Sequence, residues 1–334
     1  MIVHTVWFVL LAAVIAVYVV LDGFDLGAGT LYFLLGRTPR ERERISSAIG
    51  PVWNGNETWV VVAGGVLFLA FPKAYAGAFS GLYFGLIIVL WLLIGRGLAL
   101  ELRHQIDHPL WHQAGDAIFS VSSALLTFVL GVALGNIVRG VPLGANGYFQ
   151  LTLFHTLNWY AMLVGLLAVL VLCAQAASFL AVRAEGELGA RAQALARRLV
   201  PAQIVAGIAM VGPTYAVRHH MLTVFGHDPL ALVFPLAGLV AIGVTVVSQA
   251  AGRWGRAFVA NSSALAALLA TMAAGVYPDV LPAHQGRPFS LTINNAAAAH
   301  HALAVAIVWF PIGMILAAAY FTYSYRVLFR SPRA

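Results

Sequence analysis

Charged residues are scarce in this chain of 334 residues. Asp, Glu, Lys and Arg make up 9% of the sequence, whereas hydrophobic residues make up 61%. A soluble domain carries about 25% charged residues, so this composition excludes a soluble protein and predicts an integral membrane protein. Cysteine is nearly absent as well, and Cys173 alone cannot form an internal disulfide bond. Because Cys173 lies in an apolar run, we expect its thiol to be unreactive.

Long apolar runs are frequent, by contrast. A helix needs about 20 mostly apolar residues to cross a bilayer. The first run lacks a basic leader and a cleavage site, so we expect it to be a retained span. We predict an all-α membrane protein with nine transmembrane helices, at about 5–35, 46–71, 75–101, 115–138, 155–182, 199–217, 229–251, 257–277 and 302–325.

These helices are predicted to form a single membrane domain over residues 1–334. A weak similarity between two internal segments, each running from a polar start to a proline, favours an arrangement in repeats. We expect a first four-helix bundle at about 1–138, a second at 155–277, and a peripheral ninth helix at 302–325.

Basic residues are distributed unevenly between the predicted connections. If the N-terminus is outside, 15 of the 19 Lys and Arg residues lie on the inner side and 4 on the outer side. This bias is the positive-inside signature, so we predict an outside N-terminus and an inside C-terminus. Topology then explains the net charge of +7, and no nucleic-acid partner is needed. We expect 183–198 to form a short helix on the membrane surface and 278–301 to form a folded loop.

Four charged residues nevertheless lie more than one helical turn inside predicted spans, namely Asp22, Asp25, Glu57 and Arg96. Asp22 and Asp25 are three residues apart and share a helix face. At ~1.5 Å per residue, Asp25 lies about 18 Å, Glu57 about 20 Å and Arg96 about 10 Å from the inner boundary. A charge inside the membrane costs at least ~2.5 kcal/mol. These residues must therefore face protein or water, and they form the candidate site.

The sequence leaves two interpretations of this site open. In the first, Arg96 forms an ion pair with Asp25 or Glu57 that only holds helices together, and Asp22 caps the start of a broken helix. In the second, the acids form a proton path or a charged wall beside a cofactor, because two carboxyl groups on one face favour proton uptake.

Glycine and proline spacing predicts local geometry around the site. The pairs Gly23–Gly27 and Gly131–Gly135 are typical of helices that approach closely. Pro51 and Gly55 are expected to loosen the helix that carries Glu57 and to free backbone carbonyl groups there.

Histidine is missing from the interior of the predicted spans. All eleven histidines fall in loops or at span ends, whereas a haem in a helical bundle normally needs an inward-facing axial ligand. We therefore expect no haem on this chain. The histidines of the predicted outer side match no metal-ligand spacing, so we predict solvated side chains and no metal site: His219, His220, His227, His284, His300 and His301.

Several motifs together resemble subunit II of the cytochrome bd family of quinol oxidases. They are DGFDLGAG at Asp22–Gly29, the run GPVWNGNETWVVVAGGVLFLAFPKAYAGAFSGLY from Gly50, RGLALELR from Arg96, and YPDVLP followed by SLTINNA. The resemblance covers nearly the whole chain, and its first hundred residues are the most specific.

The resemblance implies a multi-pass protein of the bacterial cytoplasmic (inner) membrane and a haem-bearing partner, subunit I. Subunit I would hold haems b and d and the quinol site, and electrons would pass from quinol to oxygen with proton uptake from the cytoplasm. The present chain would pair with subunit I as a pseudo-symmetric heterodimer, stabilise it and line part of the proton route. A quinone in a structural role and a small accessory subunit are also consistent with the family.

The resemblance also assigns roles to individual residues, none of them directly catalytic. Asp25 and Arg96 match family residues that influence the haem environment. Many members carry an acid at the position of Asn54, which cannot ionise. Glu57 lies one turn further on roughly the same face, so we expect it to supply that carboxylate, with Asp25 and Asp22 as further proton-path candidates.

Two rival functions remain. Interior acids beside a broken helix also suit a cation-coupled secondary transporter, although such a carrier would not need this set of motifs. The chain could instead be a purely structural partner of subunit I with no proton route of its own.

Overall fold

The computed structural model describes residues 2–103, 105–106, 108–144, 149, 153–227 and 229–330. This part of the chain is mainly helical, with one small β-hairpin. The elements are α1 (Ile2–Thr30), α2 (Tyr32–Leu35), α3 (Pro39–Ile49), α4 (Trp53–Ala70), α5 (Pro72–Gly81), α6 (Tyr83–Leu102), α7 (Pro109–Arg139), α8 (Leu153–Thr156), α9 (Trp159–Arg183), α10 (Gly186–Ala209), α11 (Val211–Val217), α12 (His220–His227), α13 (Val233–Ala250), α14 (Trp254–Val276), β1 (Asp279–Leu281), β2 (Leu291–Thr292) and α15 (His300–Arg330).

Eight helical segments in the described residues are long and apolar enough to cross a membrane, which confirms a multi-span helical membrane protein. They are Ile2–Thr30, Tyr83–Leu102, Pro109–Arg139, Trp159–Arg183, Gly186–Val217, Val233–Ala250, Trp254–Val276 and His300–Ser324. The predicted span at 46–71 corresponds to α4, which has 18 residues. Its first two turns, WNGNETW, are polar and lower its hydropathy below that of the other eight.

Three predicted spans in the first third of the chain are interrupted. The chain leaves the helix at Gly50–Val52 between α3 and α4, where Pro51 lacks a backbone N–H and disfavours helix. This agrees with the expected loosening at Pro51. The predicted helix at 75–101 is divided at Leu82 between α5 and α6, and α1 is followed after Leu31 by the short α2.

The prediction of a short surface helix at 183–198 is wrong. From Gly186 onward these residues form the first half of α10, which continues through Pro201 to Ala209. Leu188, Ala192 and Ala196 recur every four residues and therefore share one face. All three are buried in an apolar cluster with side chains of α1, α2, α3 and α9, so this segment packs inside the protein.

Two helices occupy the centre of the packing. Helix α1 contacts α4, α7, α9 and α14, and α9 also packs against α7, α10 and α14. Glycine permits this proximity, since a Cβ added at Gly27 would lie 2.1 Å from the backbone oxygen of Leu172. Gly131 likewise faces Gly165 across α7 and α9, at 2.8 Å from a built Cβ to the Cα. The close packing predicted from these small residues is thus confirmed.

The two ends of the helical assembly differ. One end holds the hairpin β1–β2, which packs with Trp7, Phe71 and Val141 in an apolar cluster. Asp279 of β1 also forms an ion pair with Arg218 at 2.9 Å. The predicted folded loop at 278–301 is therefore confirmed. The opposite end carries the arginines of α3, of the first half of α10, and of the start of α14. We call these the hairpin end and the arginine-rich end.

Candidate functional site

An ion pair between α1 and α6 forms the centre of the candidate site. The Arg96 Nη2 atom donates to Asp22 Oδ1 at 2.9 Å, and both side chains are completely buried. Helix α1 is continuous through Asp22, so the expectation that Asp22 caps a broken helix is wrong. Asp22 instead provides the carboxylate that neutralises a guanidinium inside the protein.

Asp25 lies one turn further along α1 and is also completely buried. Its Oδ2 atom accepts a hydrogen bond from Asn56 Nδ2 at 2.8 Å, and the same amide donates to the Leu21 carbonyl oxygen at 3.1 Å. Arg96 therefore pairs with Asp22 and not with Asp25, contrary to one predicted pairing. Asn56, for which no role was predicted, thus joins α4 to this face.

Glu57 lies at the margin of the site. Its Oε2 atom is 4.0 Å from Arg96 Nη1, and its side chain is 21% exposed, whereas Arg96 is fully buried. The predicted depth of Glu57 assumed one helix from Arg44, but α4 starts only at Trp53. The helical rise puts Glu57 about 6 Å from that start, close to the arginine-rich end.

Asn54 does not join the buried group. Its side chain is exposed on α4, and its backbone oxygen accepts a hydrogen bond from Thr58 Oγ1 at 3.0 Å. The structure therefore brings together Asp22, Asp25, Glu57 and Arg96 of the predicted residues and leaves Asn54 on an outer face of the same helix.

The site contains more acid than base. Three carboxyl groups surround one guanidinium, and two buried carboxylate oxygens, Asp22 Oδ2 and Asp25 Oδ1, have no hydrogen-bond partner among the described residues. Buried polar atoms normally have a partner. The hydrogen bonding of this buried group is therefore incomplete among the described residues.

A polar pocket of about 180 Å³ opens near this site, at the arginine-rich end. Trp53 lines this pocket, and its ring centre lies 6.0 Å from Arg96 Cζ. Trp53 is thus close to both the pocket and the buried ion pair. The remaining lining residues are Glu43, Ser46, Ser47, Gly50, Leu100 and Glu101.

A second buried ionic network, which the sequence did not reveal, fixes the pocket wall. Asp116 on α7 lies 3.2 Å from both Arg42 Nε and Arg103 Nε and accepts a hydrogen bond from Tyr32 Oη at 3.0 Å. Arg103 also contacts Glu43 at 2.8 Å. The sequence signal for this network was Asp116, an acid close to the predicted start of a span at 115. An acid at that place is equally typical of an exposed helix end.

Histidine positions bear on the metal prediction. In the described residues, histidines lie in connections, in short helices or in the first turn of long helices. Over the same residues, no three His, Cys, Asp or Glu side chains approach one another as metal ligands do. His104 and the side chains of His220 and His227 lie outside the described part, and the absence of a metal stays a prediction.

Comparisons with known proteins agree over nearly the whole chain. The family model described as cytochrome bd terminal oxidase subunit II matches residues 3–328. Cytochrome bd-I ubiquinol oxidase subunit 2 of Escherichia coli (strain K12) is 31% identical, with 94% of this chain and 92% of that protein covered. Cytochrome bd ubiquinol oxidase subunit 2 of Bacillus subtilis (strain 168) is 30% identical, with 90% and 88% covered.

A solved structure shares the fold. A chain from the structure of bd oxidase from Geobacillus thermodenitrificans superposes with a TM-score of 0.76, covering 99% of this chain and 100% of that chain. Its sequence identity is 21%, so this likeness is one of fold.

Proposed function

The chain belongs to the cytochrome bd terminal oxidase subunit II family, and on that premise we propose that it is the haem-free subunit that completes a quinol:oxygen oxidoreductase. Membership makes it a multi-span protein of the bacterial cytoplasmic membrane and of respiratory electron transport. Beyond this, we propose that it pairs with a haem-bearing subunit I and lines part of the proton-uptake route. A cation-coupled transporter is not favoured, because the family match extends from residue 3 to residue 328.

We propose α4 as the ninth transmembrane helix, with the N-terminus outside and the C-terminus inside. A helix of 18 residues is about 27 Å long, which nearly equals the ~30 Å hydrocarbon core. Helix α4 also runs between the two ends, since Trp53 lines the polar pocket and the Ala70 oxygen bonds to Ala298 near the hairpin. The division into bundles at 1–138 and 155–277 with a peripheral α15 stays part of this proposal.

The face formed by α4 and α6 is the proposed contact with subunit I. Helix α4 exposes polar groups there, with Asn54 and Thr58 exposed and Glu57 partly so. Polar and charged side chains within a membrane face protein or water rather than lipid. The neighbouring α6 adds large apolar side chains, of which Trp91 is 71% exposed. A protein partner would cover both kinds of side chain.

Site-specific crosslinking tests this contact. Cys173 is buried, so cysteines introduced at the surface can be labelled selectively with a maleimide photo-crosslinker. Val61 on α4 and Val240 on α13 make a matched pair, because they are 71% and 68% exposed. We expect Val61→Cys to crosslink to subunit I and Val240→Cys not to do so. Equal crosslinking, or crosslinking only from Val240→Cys, would reject the α4 face.

One observation carries the proton-route proposal: buried acids outnumber the buried base. With all four groups ionised, the cluster of Asp22, Asp25, Glu57 and Arg96 has two negative charges in excess. Buried excess charge is strongly unfavourable, so the cluster approaches neutrality by binding protons. Protons would enter at the polar pocket, pass Trp53, and reach Glu57 and Asp25.

Matched variants in the intact complex test the route. We expect Asp25→Asn and Glu57→Gln to slow proton uptake per oxygen consumed while haem content stays constant. Glu187→Gln serves as the control, because its side chain is 90% exposed on α10. Unchanged uptake in both cluster variants would leave the chain as a purely structural partner of subunit I.

We place haems b and d in subunit I. A haem held in a bundle needs an inward-facing axial ligand, and the described histidines lie at helix ends, in short helices or in connections. A structural quinone on this chain, a small accessory subunit and access to the quinol pool stay part of the family expectation. The spectrum of a complex purified through a tag on this chain tests the haem assignment, since haem bands should vanish when subunit I is removed.

A further inference from the structure

An apolar groove and a group of exposed arginines lie next to each other near the arginine-rich end, where α14 begins. The groove has a volume of about 430 Å³ and lies between α1, α9 and α14. Its inner wall is aromatic: Phe24 stacks on Phe179 with ring centres 4.4 Å apart, and Phe258 meets Phe24 edge-on at 5.7 Å. Such a wall fits an extended hydrocarbon chain.

The groove runs along α14 away from the arginine-rich end. Its lining on this helix extends from Phe258 to Ala266, a rise of about 12 Å. The outer rim is open, because Val259 is 62% exposed and Ser263 is exposed as well. A long flexible chain could therefore enter from the lipid side and lie against the aromatic wall.

Three arginines lie near the start of α14, at the near end of the groove. Arg256 shares a helix face with Val259 and Ser263, which are three and seven residues further along α14. Arg253 directly precedes α14. Arg197 of α10 lies over the Trp254 ring, with its Cζ atom 5.3 Å from the ring centre. This contact places Arg197 beside the start of α14.

Among the residues that the structure describes, these arginines have no acidic partner. None of the three forms an ion pair with a described residue, and all three side chains are exposed. Other arginines of this end do have one, since Arg191 pairs with Glu41 and Arg103 with Glu43. The charge at the groove is therefore available to an external anion.

We propose that this groove binds an anionic phospholipid, with its phosphate on Arg197, Arg253 and Arg256 and an acyl chain along the Phe24–Phe179–Phe258 wall. Arginine favours phosphate through paired N–H donors, and basic pockets between membrane helices hold anionic headgroups. A neutral hydrophobic ligand would use the groove but leave the arginines without a counter-charge. The proposal does not depend on the proton route or on electron transfer.

The test compares two lipids that differ only in headgroup. The complex, purified in mild detergent through a tag on this chain, is titrated with dioleoylphosphatidylglycerol or dioleoylphosphatidylcholine, and bound lipid is counted by native mass spectrometry. We expect tighter binding of the phosphatidylglycerol. Each Arg→Gln change at 197, 253 or 256 should weaken that binding about fivefold, the effect of one basic residue near an anionic surface.

Two further variants separate headgroup from chain. Arg40→Gln/Arg44→Gln removes two exposed arginines of α3 at the same end and should leave the lipid preference unchanged. Ser263→Phe should fill the rim and weaken both lipids while the three arginines are intact. Equal binding of the two lipids, equal loss in the α3 control, or occupation of the groove by a quinone with no effect of the arginines would overturn the proposal.

Discussion

The guanidinium of Arg96 should be harder to replace than the carboxylate that it binds. Arg96 is fully buried, 2.9 Å from Asp22 and 4.0 Å from Glu57, and Asp25 lies one turn along α1. In Arg96→Gln the three acids lose their neighbouring cation but remain in the same protein environment. Removing one member of a buried ion pair typically costs about 3–5 kcal/mol, and we expect this variant to fall within that range.

Asp22→Asn should be milder because Arg96 retains a second carboxyl group, Glu57, within 4.0 Å. The new amide oxygen can also still accept a hydrogen bond. Loss of a hydrogen bond to a charged group costs about 1.5–3 kcal/mol, so we expect a difference of about 2 kcal/mol between the two variants. The double variant removes both charges and should cost less than the sum, by about 0.5–3 kcal/mol of coupling.

The assay is heat stability of the purified complex in mild detergent, read as the fraction that still elutes as intact complex after heating. Wild type, both single variants and the double variant are compared, with Arg40→Gln as a control because Arg40 is exposed on α3. Equal losses from Arg96→Gln and Asp22→Asn would refute the argument from excess acid. A double variant that loses the full sum would refute the coupling.

Three other predictions use the same assay. Gly27→Ala should cost about 1–3 kcal/mol, because its Cβ would lie 2.1 Å from a backbone oxygen of α9, whereas Gly64→Ala meets nothing within 4 Å and should be neutral. The hydrogen bond from Arg191 lowers the pKa of Glu41. The stability that this pair contributes should be present above the unfolded value of about 4.3 and be lost as pH falls through the lowered folded value. Glu41→Gln should therefore be less stable than wild type at pH 7 and equal to it in acid. Asp116→Asn should cost about 3–5 kcal/mol, because the buried Arg103 and the partly buried Arg42 lose their shared carboxylate.

Membrane spans were predictable because apolar length is a local property of the sequence. The interruptions were harder to predict, since a break at Leu82 leaves the composition apolar on both sides. The fusion of 183–198 with the next span depended on tertiary packing. The stripe of Leu188, Ala192 and Ala196 looks like the weak apolar face of a surface helix until α9 and α3 cover it.

The residues of the candidate site were predictable, but their pairing was not. An ionisable residue in an apolar run is conspicuous, and a three-residue spacing places Asp22 and Asp25 on one face. Which of them meets Arg96 depends on how α6 is placed along α1, and helix packing decides that. Asn56 was overlooked as a partner because a neutral amide near a helix start has many ordinary uses, such as capping.

Asn54 and Glu57 allow a sharper test of the proton route. The test asks whether the route needs a carboxyl group at position 57 itself or only somewhere on that face of α4. Three residues of α-helix turn through 300°, so Asn54 and Glu57 point about 60° apart. We expect Glu57→Gln to slow proton uptake and Asn54→Asp/Glu57→Gln to restore much of it at constant haem content.

Thr58 supplies the matched control for this exchange. It is exposed like Asn54, but it lies about 100° from Glu57 around the helix. Thr58→Asp/Glu57→Gln adds the same charge at the same end of α4 and should leave uptake slow. Rescue by both aspartates would mean that negative charge near the subunit contact is enough. Rescue by neither would mean that the 4.0 Å approach of Glu57 to Arg96 is itself required, and that Glu57 does not stand in for an acid at position 54.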